Sequence, residues 1–131
     1  MCCPPEMAGD LWPHVRPMVG QAPIKTDMGS LRELDTDVLS GRALLWIVHS
    51  DSNGIECAAV TRLDLTERSK VCTILACGGS HMRRWLHLLD GIEQYAKNEG
   101  CNGVRLYGRR GWKRALPEYR EIGVVMERKL I

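Results

Sequence analysis

The feature that most constrains this chain is its middle third. Residues 70–77 (KVCTILAC) form an apolar run rich in β-branched side chains, followed by Gly78-Gly79-Ser80. A long amphipathic stretch then spans 81–99, closed by Gly100, and a second strand-like run, CNGVRLYG, covers 101–108. In the stretch 81–99, Met82, Trp85, Leu86, Leu89, Ile92 and Ala96 recur at helical spacing and make one apolar stripe. Strand, helix and strand joined by links this short predict a right-handed β-α-β unit with parallel strands.

The N-terminal part reads as a tail and two helices. Residues 1–9 read as a flexible tail, and 10–131 as a single domain. Asp10 is placed to cap a helix from Leu11, with Pro13 in its first turn and Pro17 at its end or kink. Residues 20–29 read as a loop. Ser30 and Glu33 form a capping box for a second helix, with Leu31, Leu34 and Val38 on one face and Gly41 as its stop. Residues 42–49 (RALLWIVH) are nearly all apolar, as in a strand buried on both faces. Asn53-Gly54 signals a hairpin into a second strand over 54–65, and 66–69 is a polar turn before the strand at 70–77. A short helix or turn over 109–119 and a last strand over 121–130 complete the order α-α-β-β-β-α-β-α-β, an α/β (α+β) mixed sheet.

The composition fits one globular domain of 131 residues, with 44% hydrophobic and 26% charged residues. No apolar run reaches the roughly 20 residues of a membrane helix, and the N-terminus lacks a basic segment followed by an apolar one. Cytoplasmic residence is the expectation, with no membrane partner. The six cysteines form no C-x-x-C and no Cys/His cluster with zinc spacing, so no metal is expected. Cys57, Cys72, Cys77 and Cys101 lie in or beside strand-like runs and read as small buried hydrophobes. The net charge of +2 hides an asymmetry: residues 81–131 carry eleven Lys/Arg against six Asp/Glu. That half could face an anionic ligand, or be a solvated mixed-charge surface. Tyr107 and Trp112 interleave with basic residues, as in stacking surfaces, but no nucleic-acid motif is present and such a partner is not expected.

Near the C-terminus, Ala115, Tyr119, Gly123 and Val124 follow Trp112 at the spacing of a family pattern, and Leu88, Leu89, Glu93, Ala96 and Gly100 fit that family's long helix and its exit. Together with the element order, these residues resemble the GNAT N-acetyltransferase superfamily. The pattern covers about residues 42–131. The Arg-Arg-Gly-Trp run followed by Leu-Pro-x-Tyr is also similar to short GNAT-like proteins of phages and prophages, which implies phage association as an alternative location.

The resemblance implies acetyl-CoA as cofactor and a small amine or a protein amino group as acceptor. It places the cofactor pyrophosphate at the helix N-terminus, at Gly78, Gly79, Ser80, His81 and Met82, where backbone N–H groups and the helix dipole favour an anion. It assigns Tyr119 as the general acid that protonates the leaving thiolate, and Trp112 to the cofactor wall. The bland reading of Gly78-Gly79 is a strand-to-helix turn, and of Tyr119 a packing residue. His49, Glu56 and Asp64 are the candidates for the base, against a reading as solvent-facing strand residues. The chain departs from the family at Arg83 and Trp85, which hold the positions of the loop glycines, and at Trp112, which replaces an Asn. These departures keep open a second reading, a catalytically inactive GNAT-fold phage or prophage accessory or structural protein, with self-association as a homo-oligomer through an unpaired strand edge.

Overall fold

The computed structural model describes residues 2–20, 30–52, 54–79, 82–106 and 114–131. Three helices and four strands form in the order α1 (Pro5–Val19), α2 (Leu31–Leu39), β1 (Leu44–Ser50), β2 (Gly54–Leu65), β3 (Lys70–Gly79), α3 (Met82–Asn98) and β4 (Gly103–Leu106). The sheet order is β1-β2-β3-β4. The first three strands are antiparallel neighbours, and β3 pairs with β4 in parallel, from Val71↔Gly103 to Ile74↔Leu106. The expected β-α-β unit is therefore present. Asn102 aligns it: its N–H donates to the Lys70 carbonyl at 2.8 Å, and its side-chain oxygen accepts from the Lys70 N–H.

Alternation along the central strands sorts the core into two layers. Ala58, Val60, Leu45 and Ala76 face α1 and α2, where Trp12, Val15, Val19, Leu34 and Val38 are buried. Cys57, Ala59, Cys72 and Ile74 face α3, where Trp85, Leu88, Leu89, Ile92 and Ala96 are buried. The small residues of β2 let helices approach closely from both sides. The α3 stripe is core, as its spacing indicates.

Four expectations are corrected. Helix α1 begins at Pro5, not Leu11, and runs through both Pro13 and Pro17. Ala8, Trp12, Val15 and Val19 make a buried stripe whose packing outweighs the lost hydrogen bonds. Both prolines lie on the exposed side, where water can serve the carbonyls they leave open. Residues 2–4 also lie on the sheet: the Cys3 N–H donates to the Leu45 carbonyl at 2.7 Å, and Cys2 bridges Trp46. Strand β3 continues through Gly78 and Gly79, which pair with Ala58 and Cys57, so the two glycines end a strand and do not form the turn after it. The last strand is not formed: residues 121–131 are exposed and outside the sheet. Their β-branched residues favour a strand, but a strand also needs a partner edge, which local preference does not supply.

Helix α2 starts as read, with the Ser30 hydroxyl accepting from the N–H groups of Arg32 and Glu33. Asn53 and residues 109–113 of the expected element at 109–119 lie outside the described residues; residues 114 and 115 are helical.

Candidate functional site

Two register shifts shape the end of the sheet where β3 runs into α3. The first lies between β1 and β2. Val48 pairs with Cys57 and His49 with Ile55, so Glu56 is an extra residue on β2. The second lies between β2 and β3. Val60 pairs with Ala76 and Thr61 with Ile74, so Leu75 is an extra residue on β3. A bulge bends its strand and increases the local twist. Among the described residues the β3–β4 ladder runs from Val71↔Gly103 to Ile74↔Leu106, and the Leu75 bulge follows on β3. Residues 76–79 of β3 keep their pairing with β2 and lead towards α3.

The bulge at Glu56 explains why a carboxylate is buried here. Its residue is only 4% exposed, and one carboxylate oxygen lies 2.9 Å from Nε of Arg84 in the first turn of α3. The solvent-facing reading of Glu56 is corrected. The bulge takes it out of strict alternation, and the partnership with Arg84 makes its burial tolerable.

The glycines beside it are packed, each for its own reason. A β-carbon on Gly78 would meet the backbone carbonyl of Met18 in α1. Gly79 has φ +155°, rare for an L side chain, and a β-carbon there would meet Cys57. Both allow close approach of neighbouring backbone. Ser80 and His81 lie outside the described residues, as does Trp112; Met82 is the first residue of α3. Arg83 is exposed on the first turn.

Tyr119 stands elsewhere. It packs on the α3 side of the core, and its hydroxyl donates to Oε2 of Glu93 at 2.5 Å. Burial and the Glu93 carboxylate push the phenol well above its usual range, so it stays protonated at neutral pH. Glu93 is eleven residues into α3, about 16 Å along the helix from Met82.

The register also sorts the three base candidates. His49 pairs with Ile55 and Gly79 with Cys57, so His49, Glu56 and Gly79 share one end of the sheet. Asp64 pairs with Val71, at the opposite end. It is bound by Arg62 at 2.7 Å and by the Thr73 hydroxyl at 2.7 Å; these contacts outweigh its burial and hold its pKa below the usual carboxylate value. His49 is exposed on β1.

All six cysteines are free thiols. Burial pushes Cys72 and Cys77 on β3 up to about 11, so they are neutral at physiological pH and unsuited to act as nucleophiles. Among the described residues, no cluster of three or more His, Cys, Asp or Glu could hold a metal ion. No helix among them is long and apolar enough to cross a membrane.

The spacing of Glu93 and Tyr119 in the family pattern was visible in the sequence, but their hydrogen bond was not. Glu56 and Arg84 are 28 positions apart, and no local signal joins them.

No protein-family model and no curated protein matches the sequence. Solved structures do resemble it. A probable acetyltransferase superposes with a TM-score of 0.67 at 14% identity, covering 100% of this chain and 95% of the other. An aminoglycoside acetyltransferase from an uncultured soil metagenomic sample, in complex with sisomicin, gives 0.63 at 13% identity, covering 95% and 92%. Glucosamine-6-phosphate N-acetyltransferase from Arabidopsis thaliana gives 0.58 at 13% identity, covering 76% of each. The fold is α+β and GNAT-like.

Proposed function

We propose that this chain is an acyl-CoA-dependent N-acyltransferase acting on an amine. The observation that carries the reading is the bulge at Leu75, which bends β3 on its way to the first turn of α3 in a GNAT-like sheet. A pantetheine arm would lie along residues 75–79 of β3, with its amides on backbone N–H and C=O groups there. The Arg83 and Arg84 side chains at the α3 start suit phosphate. Glu56 opposes an anion there, and its pairing with Arg84 offsets that charge. These residues fit acetyl-CoA, whose thioester would supply the activated acyl group.

In the proposed reaction, the amine nitrogen forms a bond to the acyl carbon, the carbon–sulfur bond breaks, and the thiolate leaves with a proton. His49 and Glu56 lie at the α3 end of the sheet, beside the residues proposed for the phosphates, and so away from the acyl carbon that Tyr119 would serve; the amine proton then passes to water. Tyr119 is the candidate acid, and in that role its hydroxyl would turn from Glu93 to the thiolate. Gly78 and Gly79 at the end of β3, Ser80, His81 and Met82, with Trp112, are the candidate cofactor wall. The acceptor class is an amine of a small molecule or protein, in keeping with neighbours named for aminoglycosides and glucosamine 6-phosphate. Those named enzymes favour this reading over an inactive phage scaffold.

Calorimetric titration with acetyl-CoA tests the proposal. Saturable binding below millimolar concentration is expected, weakened by Arg83→Glu. No heat of binding at millimolar acetyl-CoA would sink it.

A further inference from the structure

A cleft of about 190 Å³ lies at the end of the sheet opposite the start of α3. Its origin is geometric. A helix is about 10 Å wide, whereas four strands about 4.8 Å apart span roughly 14 Å between their outer axes. Helix α3 leaves a corner at the start of β1 and the end of β2, where Leu44 pairs with Thr61. Leu44, Leu63 and Tyr95 line this corner, and all three are only partly buried although they pack on the α3-side core. The Tyr95 ring stands edge-on to Trp46, with 5.5 Å between ring centroids, which fixes one wall. The polar lining is one-sided. Arg62 is engaged by Asp64 at 2.7 and 3.4 Å and by Asp37 at 3.1 Å. The Thr61 hydroxyl accepts from the Trp46 indole N–H at 2.8 Å. Arg42 has only Nε contacts, to the Ser40 hydroxyl at 3.2 Å and to Asp37 at 3.5 Å. Its two Nη groups and the Tyr95 hydroxyl make no hydrogen bond among the described residues. The groups left over are therefore donors, and one of them is cationic.

We propose that this cleft binds a small monocarboxylate with a planar apolar body, about the size of benzoate. The Nη groups of Arg42 form the fork that suits a carboxylate. Leu44, Leu63 and the Tyr95 ring give apolar contact to the body of the ligand. Size narrows the class: an apolar cavity of roughly 150 Å³ holds one benzene, and drug-sized ligands take about 300 Å³ or more. At about 190 Å³ the cleft admits one ring and its carboxylate. Inorganic phosphate would use Arg42 but leave the apolar walls wet, and a neutral ring would leave the cation unmatched. The cleft is separate from the Tyr119 hydroxyl. Tyr95 and Glu93 are two residues apart on α3, about 200° round the helix, so the cleft and the Tyr119–Glu93 pair lie on opposite flanks. The inference is independent of the acyltransferase reading.

Amide NMR spectra of the full chain, titrated with sodium benzoate at constant ionic strength, test it. Saturable shifts confined to residues around 41–44, 61–63 and 95 are expected, with a Kd of about 1 mM or tighter. The Arg42 side chain is 64% exposed, so Arg42→Gln should keep the fold. It should weaken benzoate by about tenfold or more. Leu63→Trp should fill the cleft and remove binding while amide shifts remote from it stay in place. Benzyl alcohol and acetate each carry half of the recognised chemistry, and each should bind at least about tenfold more weakly than benzoate. No saturable shift at about 10 mM benzoate, shifts scattered over the surface, or an affinity indifferent to Arg42→Gln would each overturn the proposal.

Discussion

The buried carboxylate of Glu56 on β2 is held 2.9 Å from Nε of Arg84 on the first turn of α3. This ion pair ties the bulged end of the sheet to the start of the helix. Removing one partner of a fully buried pair costs about 3–5 kcal/mol, because the other charge is left in low dielectric. The Arg84 side chain is 53% exposed and that of Glu56 only 4%, so water can partly replace Arg84 but reaches Glu56 poorly. Arg84→Met is therefore expected to cost about 1–3 kcal/mol. Combining it with Glu56→Gln should cost less than the two single changes added together, because the double variant strands no charge. Urea unfolding of the four proteins checks this, and strict additivity would show that the pair contributes nothing.

The hydroxyl of Tyr119 and the carboxylate of Glu93 predict a distinctive alkaline behaviour. Burial first, and then Glu93, raise the phenol above its ordinary value of 10.0. A group whose pKa is raised by folding contributes stability that is complete below the unfolded pKa. That contribution is lost as pH climbs from about 10 towards the folded value, because only the unfolded chain ionises readily. Wild-type protein should thus lose stability above about pH 10. Tyr119→Phe should lack this part of the slope, and at neutral pH it should cost about 1–2 kcal/mol for the missing hydrogen bond. Thermal melts between neutral and strongly alkaline pH, compared for the two proteins, measure both effects.

These two pairs also show how far the sequence could be read. The β-α-β unit, the Ser30 cap and the α3 stripe depend on local spacing, and all were legible. The bulges at Glu56 and Leu75 were not, because a bulge is a property of register between two strands and no residue of either strand announces it. The site at the α3 start therefore read as a pair of glycines when its distinctive feature is a buried acid. Helix α1 was placed too late because its prolines are local helix breakers, while the packing of Ala8 and Trp12 that overrides them is tertiary. The segment 121–130 failed in the opposite sense, since strand propensity was present without a partner.

A third pair contributes to stability in acid. The Asp35 carboxylate on α2 accepts from Nε of Arg16 at 2.7 Å and from the Trp12 indole N–H at 2.7 Å, joining α2 to α1. The Arg16 hydrogen bond, assisted by Trp12, holds Asp35 below its ordinary 3.8. A depressed carboxylate contributes stability that is present above the unfolded pKa and lost as pH falls through the folded one. Wild type should lose stability on acidification below about pH 4, and Asp35→Asn should flatten that part of the profile. Melting temperatures from neutral pH down to strongly acidic conditions decide the point; an unchanged acid slope in Asp35→Asn would show that Asp35 does not set it.

The glycines of α1 and β3 give opposite expectations for the same substitution. Gly78→Ala drives a β-carbon into the carbonyl of Met18, a backbone atom that cannot swing aside, so α1 must move off the sheet. Overpacking of this kind costs about 1–3 kcal/mol, and here at least the upper end is expected because the obstacle is backbone. Gly79→Ala meets Cys57 and an unfavourable φ together, and should be equally damaging. Gly9 lies inside α1, and a β-carbon added there would have nothing within 4 Å. Gly9→Ala should stabilise the protein by about 0.5–1 kcal/mol, because alanine gives up less backbone freedom in a helix. Denaturant midpoints of the three variants make the comparison. If Gly78→Ala were as benign as Gly9→Ala, the close seating of α1 on the end of β3 would be wrong, and with it the packing that aims β3 at the start of α3.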